Sequence, residues 1–188
     1  LLVKLHDKFN NEVSEIRKER IANQEKARKG IMPQLLEPSD ANGQWEISDL
    51  PEDLRTPGIE ISGPAGIASM LINALNPGPG GVRAEGDLDD DEDAAGHTLE
   101  DSIHAARNRM QATLGTLQFD NEKTGKHYEL QPGKIPFFMH RERGILLDEI
   151  DYLIDSKPVH ASILDTVLTL MHCGLKQQEK GEFIYFYI

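Results

Sequence analysis

The sequence predicts an α/β protein in which a parallel sheet is covered by helices, and three features predict it. From residue 59 onward, short strand-like segments alternate with segments of helical periodicity. Two of the strand-like segments, "IPFFMH" (135–140) and "FIYFYI" (183–188), are apolar nearly throughout, as strands covered on both faces are. The 188 residues, 38% of them hydrophobic, suffice for a single core. They hold only about four β/α units, half of what a (β/α)8 barrel takes.

The elements follow in order. Leu2, Leu5, Phe9, Val13 and Ile16 recur at steps of three and four, one stripe on a helix spanning residues 1–29 and closed by Gly30 and Pro33. The stripe runs barely two heptads, so packing on its own chain is expected rather than a coiled-coil dimer. The half "RKERIANQEKARK" is polar and expected to be solvated. An irregular connector rich in Pro, Gly, Asp and Ser follows to residue 57, with Trp45 expected to dock it on the body. Then come a strand at 59–63, a helix at 65–75, a break at "NPGPGG" (76–81) and a polar strand at 82–88. A helix over 98–110 should be capped by Thr98, with Asp101 in its first turn and Leu99, Ile103, Ala106 and Met110 on its buried face. Residues 117–130 read as a hairpin turning at Lys123-Thr124-Gly125. A helix over 158–177, opened by Pro158, should bury Val159, Ile163, Val167 and Met171 against the two apolar strands. The domain reading is thus 1–57 as N-terminal helix and connector, and 58–188 as the sheet and its helices. The open strand at Ile188 is expected to mark a cut inside the fold.

A net charge of −12 argues against nucleic acid and against an anionic membrane surface as partners. The single cysteine, Cys173, allows no internal disulfide and fits a reducing, cytoplasmic setting. No run of 18 apolar residues is present. "NPGPGG" lacks the Lys-Ser/Thr of a phosphate loop, and the histidines lack metal spacing. His172-Cys173 reads as packing.

Seven acidic side chains crowd the nine positions from Glu85 to Asp93. Counted from Asp89, oxygen ligands fall at positions 1, 3 and 5 of a calcium loop (Asp89, Asp91, Asp93), with Glu100 at position 12. Position 6 is Ala94 where the turn needs Gly, and "NPGPGGVRAEG" cannot form the entering helix. Three readings stay open: a calcium loop lacking these two features, a solvated acidic loop, or a loop at the carboxyl end of a strand carrying chemistry. In "HRERG" (140–144), alternation puts Arg141 and Arg143 on one face beyond the apolar strand. There a guanidinium can take a carboxylate with two parallel hydrogen bonds, or form a surface salt bridge.

Several segments resemble the malate synthases, in particular the shorter A form. "ISGPAGIASMLINALN" (61–76) is similar to that family's Ile-Thr-Gly-Pro segment and its Met-x-Ile-Asn-Ala-Leu-Asn helix. "DLDDDEDAAGHT" (87–98) falls where the family has Asp-Phe-Glu-Asp-Ser. "HRERGILLDE" (140–149) resembles Arg-x-Arg-Gly-Leu-His-Leu-x-Glu, and "GEFIYFYI" (181–188) a Gly-x-x-x-Tyr-Phe-Tyr-Leu strand. "QWEISDLPEDLRTPGIEISGP" (44–64) follows the family's linker into its first strand.

The resemblance implies an N-terminal helical clasp followed by the first part of a (β/α)8 barrel. It implies condensation of acetyl-CoA with glyoxylate to malate and CoA, with Mg2+ as cofactor, in the cytoplasm or, in a eukaryote, the glyoxysome or peroxisome. Matched by position, Arg141 takes the place of the catalytic arginine. Asp89 and Asp90 take that of a Glu-Asp pair near the metal through water, and Arg143 and Asp87 are supporting residues. The base and the direct metal ligands are expected beyond Ile188, so this chain alone should not catalyse the condensation. The sequence departs from the family at Asp89 (for Glu), Asp91 (for Ser) and Leu146 (for His). Two other readings stay open: a non-catalytic acidic metal-binding module, and a related barrel lyase acting on another acyl-CoA.

Overall fold

The computed structural model describes residues 1–35, 37, 44–55 and 58–188. The connector expected between the first helix and the first strand therefore lies partly outside the described residues. Its Trp45 is 64% exposed and does not dock on the body.

Helix α1 (Leu2–Arg28) is as long as the apolar stripe and its polar continuation predicted. It packs by its first half, with His6 and Val13 buried, against α5 (Ala161–Thr169) and the hairpin strand β7 (Lys157–His160). Ile16 stays exposed. Next to it Arg17 reaches Asp148 with two hydrogen bonds of 2.8 and 2.9 Å and the Ile145 carbonyl at 2.8 Å. A single turn, α2 (Glu52–Arg55), carries Asp53, which accepts from the Tyr185 hydroxyl at 2.5 Å.

Four parallel strands make the main sheet: β1 (Glu60–Gly63), β2 (Gly86–Asp90), β5 (Phe137–Arg141) and β8 (Tyr185–Phe186), in that spatial order. Each new parallel strand joins beside the previous one, so the sheet grows in a single direction. Among the described residues it stays open. β2 overlaps the expected strand 82–88 only at 86–88, beginning later and running on to Asp90, so that it takes in Asp87, Asp89 and Asp90. Its start is set by packing: a side chain at Gly86 would come within 2.5 Å of the Phe137 ring on the neighbouring strand.

Helices α3 (Ala68–Leu75) and α4 (Leu99–Leu114) cover one face of this sheet. Ala65, Leu71, Ile72, Leu75, Ala105, Ala112, Leu117 and Phe138 form the core between them. Thr98 caps α4 as predicted, and Asp101 completes a reciprocal capping box that was not: the Thr98 hydroxyl accepts from the Asp101 amide at 3.2 Å, and Asp101 accepts from the Thr98 amide at 3.2 Å. Gly115, with φ +74°, ends it in the left-handed region. The buried face is rotated from the one predicted. It runs through Ser102, Ala105, Ala106, Arg109, Ala112 and Thr113, and Ile103 faces outward. The antiparallel hairpin of β3 (Gln118–Asn121) and β4 (Lys126–Glu129) turns where expected, with Asn121 Oδ1 accepting from the amides of Lys123 and Thr124.

A second hairpin, β6 (Asp148–Ile154) with β7, has no counterpart in the sequence reading. Its two-residue turn is Asp155-Ser156, both at positive φ (49° and 62°), a geometry that Asn-Gly more often signals. Pro158 lies in β7 rather than opening a helix. Helix α5 therefore starts at Ala161, continues through a π-helical turn (Leu170–Gly174) and ends as α6 (Leu175–Glu179). The expected stripe breaks for both reasons. Val159 is buried on a strand, and the wide π turn shifts the helical phase so that Met171 is 62% exposed while Cys173 and Gln177 turn inward. The helix packs on α4, α1 and the β6–β7 hairpin rather than on the apolar strands.

These burials set an expected contrast. Val167→Asp places an unpaired charge in the core and should cost at least about 3 kcal/mol. Met171→Asp should stay within roughly 0.5 kcal/mol. Urea melts of the two variants check it.

Candidate active site

Alternation sorts the side chains of β2 and β5 onto two faces. The register pairs Asp87 with Phe138 and Asp89 with His140, and it pairs Leu88 with Met139 and Asp90 with Arg141. Phe138 belongs to the core beneath α3 and α4, so Asp87 and Asp89 look into the helix layer. Asp90 and Arg141 look the other way, at the carboxyl ends of their strands.

On that open side the Arg141 guanidinium is ringed by carboxylates. Nη1 donates to Asp90 at 3.1 Å and to Asp93 at 2.6 Å, and Nη2 pairs with Glu92 at 2.8 Å. The guanidinium also lies 5.8 Å from the centre of the Tyr187 ring. Asp90 is buried and holds the turn that follows it, its Oδ1 accepting from the amides of Glu92 (2.9 Å) and Asp93 (3.0 Å). Asp93 is 70% exposed on its side chain. Hydrogen bonding to Asp93 and the surrounding carboxylates raise the pKa of Arg141.

On the helix side lies a second charge cluster, fully out of water. Arg109 of α4, 1% exposed, sits among small residues and fixes Asp89 through Nε at 2.7 Å and Nη2 at 3.2 Å. Its Nη1 reaches Glu142 at 3.3 Å and the Thr169 hydroxyl at 3.2 Å, and that hydroxyl donates to Glu142 at 2.6 Å. Nη2 also lies 2.8 Å from Asp91, an ion pair without hydrogen-bond alignment, so both Asp91 oxygens lack a hydrogen-bond partner. His140 Nδ1 adds a contact to Asp89 at 2.8 Å. Burial works to raise the Asp89 carboxyl, but Arg109 and His140 outweigh it and hold it below the usual carboxylate range. Asp87 has no such partner. It is 1% exposed with both oxygens unbonded, and burial, with Asp89 nearby, pushes it up to about 8. Burial also pushes Asp91 to about 7 and raises Glu142, in both cases against the pull of Arg109.

Arg143 does not share the Arg141 face. β5 ends at Arg141, alternation ends with it, and Arg143 turns into the protein. There it forms two hydrogen bonds to Asp165 (2.8 and 3.0 Å) and one to Glu149 (2.9 Å). Of the residues singled out in the sequence, the structure joins Asp90 with Arg141. Asp87 and Asp89 are separated from that pair by the thickness of the sheet, and Arg143 is locked in an ion pair of its own. The calcium loop is not formed either, since Asp89 and Asp91 are buried against Arg109. Sequence reasoning missed Arg109, Glu142 and Asp165. The available signal was an arginine in register with Ala105, Ala106 and Ala112 on a helix face, opposite a strand that needed a cation.

Asp91, Glu142 and Asp165 bring carboxylate oxygens within 4.8 Å of one another, close enough for a metal. Arg109 already stands against Asp91 and Glu142, and Arg143 against Asp165, so the trio is tied up in the buried ion-pair network. Cys173 is buried, with its thiol pushed to about 11, and is inert as a nucleophile.

An arginine held by acids at the carboxyl ends of adjacent parallel strands is where α/β proteins place their ligand sites. The chain is 37% identical over 162 residues to the malate synthase of Myxococcus xanthus (strain DK1622), a match taking in 85% of this chain and 28% of that protein. It is 35% identical over 130 residues to the glyoxysomal malate synthase of Zea mays, 69% of this chain and 22% of that one. It is 28% identical over 189 residues to malate synthase A of Escherichia coli (strain K12), 100% of this chain and 34% of that one. No protein-family model matches. The chain belongs to the malate synthase family, and it spans between 22% and 34% of the length of these relatives. No helix among the described residues is long and apolar enough to cross a membrane.

The two buried acids with raised pKa values, Asp87 and Asp91, give stability a defined pH dependence. Asp87 and Asp91 are protonated in the fold up to about 8 and about 7 but ionise near 3.8 when unfolded. Between those limits the folded state binds more protons on these two groups, so their contribution to stability is full below about 4 and falls as pH rises toward 8. Asp87→Asn should flatten this slope and gain at least about 2 kcal/mol at pH 8. Melts taken from pH 4 to 8 read both.

Proposed function

We propose that the whole protein condenses acetyl-CoA with glyoxylate and water to give malate and CoA, as a malate synthase of the glyoxylate cycle. In this reading residues 1–57 are the clasp and residues 58–188 are the opening half of a (β/α)8 barrel. What supports it is the Asp90–Arg141 pair, register partners at the carboxyl ends of β2 and β5, in a chain similar to malate synthases along most of its length.

The chemistry asks for a fixed positive charge where an enolate develops, and Arg141 supplies it. The buried Asp90 carboxylate keeps the guanidinium oriented. Glu92 and Asp93, on the more open turn, are the arms that release Nη2 and Nη1 to an incoming carboxylate or enolate oxygen. A base elsewhere in the whole protein takes the methyl proton of acetyl-CoA, and the new C–C bond forms at the aldehyde carbon of glyoxylate. Water then cleaves the thioester and frees CoA. The oxygen donors of Asp90, Glu92 and Asp93 fit a hydrated Mg2+ ion, reached through water. When bound, the ion supplies Lewis-acid polarisation of the aldehyde. Asp89 has no part in this, because Arg109 and His140 occupy it on the other face. A cytoplasmic setting, or a glyoxysomal one in a eukaryote, belongs to the same reading.

Release of CoA from acetyl-CoA by the whole protein, strictly dependent on glyoxylate and Mg2+, is the expected result. Release without glyoxylate, or with another 2-oxoacid only, would replace this reading with a different acyl-CoA lyase. Arg141→Lys keeps the charge but loses the fork and should lower kcat at least ~10²-fold. Arg143→Lys should act mainly on thermal stability.

A further inference from the structure

We infer that Arg109, which lies on the far side of the sheet from the reactive pair, is the residue that positions Asp90 and Arg141. The inference rests on the reading of those two as the reactive pair, and its test needs no turnover, so the two can fail separately.

β2 ends at Asp90 and β5 at Arg141, and the next backbone tie, from the Asp91 amide to the Arg141 carbonyl at 2.9 Å, is the last between them. Beyond it the direction of each strand end depends on side chains. The residues flanking Asp90 are Asp89 and Asp91, and the residue after Arg141 is Glu142. Arg109 touches all three, at 2.7, 2.8 and 3.3 Å. It is rigid in turn, because it is buried, donates to Thr169 across the layer and also meets the Asp89 carbonyl at 3.4 Å. Side chains alternate across a strand, so a guanidinium that fixes positions 89, 91 and 142 from one face fixes 90 and 141 on the other. Its planar fork suits this, since several donors act from one rigid plane where an ammonium would make a single point contact.

A merely structural Arg109 would compensate buried charge and do no more. The two roles separate when that charge is removed altogether. In Asp89→Asn/Asp91→Asn/Glu142→Gln/Arg109→Met all four charges of this cluster are removed together, and cooperative folding should survive. Arg109→Lys is the second variant, with the charge kept and the fork lost. The readout is the set of Arg141 guanidinium signals in the nitrogen-15 NMR spectrum of the labelled protein, assigned by their loss in Arg141→Lys. In the unmodified protein the three carboxylate contacts should hold the guanidinium and keep its rotation slow. In both variants we expect cooperative melting together with Arg141 signals averaged toward those of a free arginine, with rotation faster by at least ~10-fold. Cooperative melting with the Arg141 signals still held would overturn the inference and leave Arg109 as a compensating charge. Loss of cooperative melting in both variants would also overturn it, since Arg109 would then serve folding as such. Averaged Arg141 signals, in a whole protein that releases no CoA with glyoxylate, would leave the inference standing and sink the function proposed above.

Discussion

The contact between Arg109 and Asp89 is the interaction on which the rest depends. A strand reading Gly-Asp-Leu-Asp-Asp has low strand propensity and would be expected at the surface. Here it is the second strand of the parallel sheet, paired on both sides. Asp89 can be buried as a carboxylate only beside a cation that is itself buried and cannot lose its proton, whereas Asp87, which has none, is buried by keeping its own proton. Removing one partner of such a pair typically costs about 3–5 kcal/mol, because the other is left uncompensated in a medium that solvates it poorly. That is a large share of the stability of a domain this size.

The other charge pairs are arranged by depth around this one. Arg143 with Asp165 and Glu149 ties the end of β5 to α5 and to the second hairpin, again out of water. Arg17 with Asp148 fastens α1 to the same hairpin at the surface, where solvent screening leaves each pair worth less. Buried acids still outnumber buried bases, and the surplus resides in Asp87 and Asp91 as protons held at pH values where a free carboxyl would have lost them.

The sheet keeps two kinds of charge apart. On the helix side, acids and arginines neutralise one another and rigidify the layer. On the open side, Arg141 faces three carboxylates of graded exposure, so its charge is oriented yet can be released. A site for an anionic substrate needs both qualities, and they are hard to combine on one face of one strand.

Much of the fold was legible in the chain. Periodicity located α1, α3 and α4, the cap at Thr98 with Asp101 in the first turn was visible as residue types at the right spacing, and the apolar runs located β5 and β8. Local signals of this kind act over a few residues, which is why sequence reveals them. The charge crowded into residues 85–93 was also plain, read either as a solvated loop or as a loop carrying chemistry. What balanced it was decided by tertiary structure. Arg109 lies 20 residues from Asp89 in the chain, and its only local mark is the small residues Ala105, Ala106 and Ala112 on its face of the helix, which do not name its partner. The side chains of Arg141 and Arg143, expected on one face, diverge because the strand ends between them. The π turn and the Asp155-Ser156 hairpin depend on packing that no short window contains. The sequence by itself determined most of the helices and the parallel strands, and left open what meets the acids of residues 85–93. Only the tertiary structure decided which cation, and on which face of the sheet Asp90 and Arg141 would meet, because a buried ion pair is specified by the juxtaposition of distant segments in a medium that tolerates no unpaired charge.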